Sequence, residues 1–99
     1  MMELSAIRAD LKEIRYYYTR KAMFDEAVKI VGGNNIMEKA ERYNEAVRFA
    51  PPLLYDLYVG LYIKGFTQEA LSAELGYTPE YVQMLHKKLL LFLQKQMKE

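Results

Sequence analysis

TQEALSAELGYTPEYVQMLHKKL, residues 67–89, is the stretch whose reading decides the fold. Thr67 and Thr78 each stand ahead of a helix-forming run, where a threonine oxygen accepts a backbone N–H of the first turn. Pro79 follows Thr78 at the first helical position, where its missing N–H costs no hydrogen bond. Gly76 lies between the two runs and supplies the left-handed residue that ends a helix. Two short helices joined this tightly must cross closely, so the first needs a small residue at the crossing and both need apolar inner faces. Ser72 is that small residue. Leu71, Leu75, Val82 and Leu85 are the inward positions, and Tyr77 is expected to plug the gap between the helices. The spacing therefore predicts a helix-turn-helix.

Working outward, Leu53, Leu54, Leu57, Leu61, Tyr55, Tyr58 and Tyr62 predict a preceding helix that is apolar around most of its circumference, closed by Gly65. Pro51 and Pro52 separate it from a shorter helix in which Ile36, Ala40, Tyr43 and Val47 recur at steps of four, three and four. Before that, Leu4, Ile7, Leu11, Ile14 and Tyr18 form one stripe of a long first helix running from Glu3 to about Val31. The stripe moves to Tyr17, Phe24, Val28 and Val31, which predicts a rotation of the buried face or a kink near Thr19. Gly32, Gly33, Asn34 and Asn35 should turn the chain back. The expected fold is all-α: a long N-terminal helical hairpin with a coiled-coil-like first helix over residues 1–50, then a three-helix bundle over 53–99 containing the helix-turn-helix.

Ninety-nine residues suffice for one shared core and not for two independent ones. Cysteine is absent, which excludes disulfides and thiolate metal sites and points to the cytoplasm. The longest apolar run, residues 89–93, is far short of the roughly 20 residues of a membrane helix, so no membrane partner is expected. A formal net charge of +1 does not select a partner.

The sequence "LYDLYVGLYIKGFTQEALSAELGYTPEYVQMLHKKLLLFL" resembles region 4 of bacterial sigma factors. An apolar helix, a short connection at residues 64–66 and the helix-turn-helix follow in that family's order. The resemblance covers residues 53 to about 93, under half of the chain; the long first helix is more like that of small regulators from phages and mobile elements of Gram-positive bacteria. It implies sequence-specific DNA binding as a transcriptional regulator or a split sigma-like factor, with double-stranded DNA and RNA polymerase as partners. In such modules the second helix of the pair lies in the major groove. Carried over, Thr78, Glu80, Gln83, Met84 and Lys87 face the bases, with Gln83 suited to adenine and Glu80 to cytosine, while Lys87 or Lys88 contacts phosphate or guanine. Thr67 and Gln68 would offer backbone N–H groups to a phosphate.

The pattern departs from a strong DNA binder in its charge. Residues 53–99 contain no arginine, and five lysines meet five carboxylates, a balance of zero. Since each neutralised phosphate adds affinity through counterion release, a neutral module binds weakly alone. Dimerisation or a polymerase partner would make up the difference. The alternative is a helical protein-interaction adaptor whose helix-turn-helix never touches DNA.

Other features have plainer readings. The run from Arg15 through Tyr16, Tyr17, Tyr18 and Thr19 to Arg20 and Lys21 is basic and aromatic, but successive helical tyrosines point about 100° apart, so one or two must be packed. Residues 89–93, apolar in every direction, call for cover from the first helix or from a second copy, and the second copy is favoured, so a homodimer is expected. His86, the sole histidine, lacks partners at ligand spacing and is expected to be exposed or to face phosphate. Glu38, Glu41 and Glu45, interleaved with Lys39 and Arg42, read as a solvated face. No catalytic constellation, metal site or cofactor loop is expected.

Overall fold

The computed structural model describes residues 2–23, 25, 26 and 35–97, and all the regular structure among them is helical. Helix α1, Leu4–Thr19, buries Ile7, Leu11, Ile14 and Tyr17. Each such side chain contributes about 1.5–3 kcal/mol relative to remaining exposed. The helix ends at Thr19, whose hydroxyl donates back to the Arg15 carbonyl at 2.8 Å. Arg20 leaves helical geometry at φ −122°, ψ 28°. The expected kink near Thr19 is thus a break, and one unbroken helix from Glu3 to Val31 is ruled out. Phe24, Val28, Val31 and the turn predicted at residues 32–34 lie outside the described residues.

Helix α2, Asn35–Val47, packs on α1 through Ala40, Tyr43, Ala46 and Val47. Polar contacts fix the pairing. The Tyr43 hydroxyl donates to Asp10 at 2.7 Å, and Lys39 forms ion pairs with Asp10 and Glu13. Burial, and then the Asp10 carboxylate, push the Tyr43 hydroxyl pKa far above its ordinary value. Asn44 ties three elements together, donating to the Tyr18 hydroxyl at 2.7 Å and accepting from the Tyr58 hydroxyl at 2.7 Å.

Helix α3, Pro52–Tyr58, starts at a proline and continues into a π-helical turn, Val59–Ile63, where the Lys64 N–H reaches the Val59 carbonyl at 2.8 Å. This wider turn carries Gly60 against helix α4, Gln68–Leu75. A Cβ on Gly60 would lie 2.7 Å from Leu71 Cδ1, so glycine is what lets α4 approach this closely. Helix α5, Pro79–Gln96, runs through the centre and packs on α1, α3 and α4. One apolar core therefore includes residues from both halves of the chain, from Ile7 to Leu93.

The apolar run at residues 89–93 is part of that core. Leu89, Leu90 and Leu93 are fully buried and Phe92 is half-buried, leaving only Leu91 exposed. The chain supplies its own cover, so this run gives no ground for a homodimer. The third helix also differs from expectation, since Tyr55 is exposed while Leu54, Leu57 and Tyr58 are buried. None of the described helices is long and apolar enough to cross a membrane.

Candidate nucleic-acid interface

Each half of the helix-turn-helix begins at a capped end. Thr67 Oγ1 accepts from the Ala70 N–H at 3.0 Å, and Thr78 Oγ1 accepts from the Tyr81 N–H at 3.1 Å. Between the helices Gly76 adopts φ +75°, the left-handed conformation its position called for. The Tyr77 N–H then closes the turn on the Ser72 carbonyl at 2.9 Å. Ser72 is buried and donates its hydroxyl to the Glu69 carbonyl at 2.7 Å, which satisfies the small polar group beneath the crossing. Leu71, Val82, Leu85 and Leu89 complete the inner face.

Two inner positions differ from the reading above. Leu75 is only half-buried. Tyr77 does not plug the gap between the helices; it is exposed, and its ring meets that of Tyr81 edge-on at 4.9 Å. Ser72, buried beneath the crossing, occupies the inner side of the turn instead.

The side chains predicted to face a ligand are solvent-accessible. Thr78, Glu80, Gln83, Met84, Lys87 and Lys88 are all exposed, as is Thr67, and Gln68 is half-buried. At about 100° per residue, the outer face of α5 divides into two strips. Glu80, Gln83 and Lys87 make a polar strip. Tyr81, Met84 and Leu91, with Tyr77 before the helix, make an apolar one interrupted by Lys88. The oxygens of Thr67 and Thr78 each accept one capping bond, and each hydroxyl keeps its O–H to donate to a ligand.

His86 corrects its expectation. It is half-buried beside the polar strip, and its Nε2 shares a hydrogen bond with the Tyr62 hydroxyl. Burial and the Arg8 guanidinium hold the imidazole pKa below its ordinary value of 6.5. Burial also pushes the Tyr62 hydroxyl up to about 12. The histidine is neutral near pH 7 and belongs to the scaffold.

Sequence reasoning missed that α1 flanks this surface. Arg15 donates to the Gly65 carbonyl at 2.8 Å, two residues before the α4 cap, and Arg8 lies close enough to His86 to influence it. The signal available was the spacing of Arg8, Lys12 and Arg15 at steps of four and three, beside the apolar stripe on the same helix. Of the three tyrosines on α1, Tyr17 is buried, Tyr18 is half-buried, and Tyr16 is exposed beneath the Arg20 guanidinium. No group of three His, Cys, Asp or Glu side chains among the described residues is arranged to hold a metal ion. Compared with models of known protein families, with characterised proteins and with solved structures, the chain matches none of them.

Proposed function

We propose that this chain is a non-enzymatic, cytoplasmic DNA-binding regulator of transcription that inserts α5 into the major groove of double-stranded DNA. One observation carries the reading: the N-terminal turns of α5 are free on their outer side, while Val82, Leu85 and Leu89 anchor the inner side. A helix seated this way can enter a groove without disturbing the core. Gln83 reads adenine, Lys87 contacts guanine or phosphate, Glu80 selects cytosine, and the first turn of α4 meets the backbone. RNA polymerase is the protein partner that the resemblance to sigma factors suggests, and no cofactor is needed.

The test is a fluorescence-anisotropy titration of the full chain against a random-sequence duplex library at 50 and 200 mM salt. Binding that weakens with salt and is lost in Gln83→Ala/Lys87→Ala is the expected result. A folded protein that shows no binding at tens of micromolar contradicts it.

A second reading has its own observation. Tyr77, Tyr81, Met84 and Leu91 are each at least a third exposed on the outer face of α5, an apolar and aromatic strip suited to a protein partner. An adaptor would bind through this strip, and its affinity would tolerate salt.

A further inference from the structure

We infer that the outer face of α1 is a phosphate-binding ridge that supplies the positive charge the helix-turn-helix lacks; this rests on the DNA-binding reading above. All five arginines of the chain precede residue 50, and three of them, Arg8, Arg15 and Arg20, are on or just after α1. Arg8, Lys12 and Arg15 follow helical steps of four and three, so with Thr19 they make one line along the helix. Arg8, Lys12 and Arg20 are exposed, and Arg15 is half-buried. The acidic residues of the same helix lie elsewhere. Asp10 and Glu13 turn towards α2, where Lys39 pairs with both, and Lys21 is taken by Asp25. Among the described residues no carboxylate pairs with Arg8, Lys12, Arg15 or Arg20. The segregation leaves one face of α1 uniformly cationic.

The position of this ridge selects its partner. Near one end Arg8 acts on His86, which is one residue before Lys87 and about 60° around α5 from Gln83. At the other end Arg15 binds the Gly65 carbonyl, and Thr19 Oγ1 lies 3.8 Å from where a Gly65 Cβ would be. Gly65 leads directly into the Thr67 cap of α4. The ridge therefore lies on a helix that packs against α5 and reaches the connection leading into α4. From Arg8 to Thr19 it extends about 16 Å, comparable with five base-pair steps at about 3.4 Å each. The shallow groove formed by Lys12, Arg15, Tyr16, Thr19 and Arg20 brings ammonium and guanidinium donors together for a phosphate. A duplex strand beside α5 is the anion that fits this placement.

The experiment compares the full chain with Arg8→Gln/Lys12→Gln/Arg20→Gln, leaving Arg15 to hold Gly65. Affinity for a random-sequence duplex is measured from 50 to 200 mM salt. Each phosphate contact contributes about 0.9 to the slope of log affinity against log salt, so the triple variant should be shallower by about 2.7. The advantage of the wild type over the variant should then shrink about 40-fold across that salt range. Base preference should be unchanged. If the triple variant loses its thermal transition, Lys12→Gln alone provides the comparison, with a slope shallower by about 0.9.

An unchanged slope overturns the ridge; if Gln83→Ala/Lys87→Ala still abolishes binding, the helix-turn-helix reading survives that failure. A wild type that binds no duplex, or that binds phosphatidylserine vesicles instead, overturns both.

Discussion

Replacing Gly76 by alanine tests the turn that joins α4 to α5. At φ +75° and ψ 26° an L-residue is in the left-handed region, which costs about 1–2 kcal/mol. A Cβ at this position would meet nothing within 4 Å, so no packing gain or clash complicates the sign. Alanine also restricts the unfolded chain, which offsets about 0.4–1 kcal/mol. The net destabilisation should be about 1 kcal/mol, or a fall in Tm of about 4–8 °C for a domain of this size. Asparagine tolerates the left-handed region better, so Gly76→Asn should lose less. Thermal and urea melts followed by far-UV circular dichroism should therefore rank wild type above Gly76→Asn above Gly76→Ala. A Gly76→Ala variant as stable as the wild type would refute the reasoning, because nothing but backbone conformation distinguishes the two.

Asn44→Ala removes both hydrogen bonds joining α1, α2 and α3 and leaves the hydroxyl of fully buried Tyr58 without its acceptor; urea unfolding should show a loss of about 2–3 kcal/mol, partly recovered by adding Tyr58→Phe. His86 has a folded-state pKa depressed by burial and Arg8, so its contribution is fully present above about pH 6.5 and is lost as pH falls through the folded value. Tm should drop between pH 6.5 and 5, and His86→Gln should flatten that segment. Leu91→Lys disrupts the exposed apolar strip without touching the core or the residues expected to face the bases; it should leave melting within about 0.5 kcal/mol of wild type and preserve duplex binding, whereas loss of a salt-tolerant protein interaction would favour the adaptor.

The residues that made the helix-turn-helix legible act locally. Thr67, Ser72, Gly76, Thr78 and Pro79 each meet a requirement of their own few neighbours, and all five take the expected positions. Long-range packing was less visible. The leucines after His86 look like a sticky surface in sequence, and only the arrival of α1 and α3 shows that they are core. Tyr17 outranks Tyr18 in burial for a similar reason, since the choice between adjacent tyrosines depends on the angle at which α1 meets its neighbours. His86 was misread because its partner, Tyr62, comes from another helix. The charge near the helix-turn-helix was hidden in the same way. A count along residues 53–99 gives zero, while the fold brings Arg8, Lys12 and Arg15 alongside from the other end of the chain.

The most direct test of the central claim is to map backbone amide shifts by heteronuclear NMR as a short DNA duplex is added. Insertion of α5 into the groove predicts perturbations concentrated at Thr67, Gln68 and residues 78–88. Perturbation confined to surfaces away from the helix-turn-helix, such as that around Phe49, or no perturbation at a duplex concentration equal to the protein's, would contradict it.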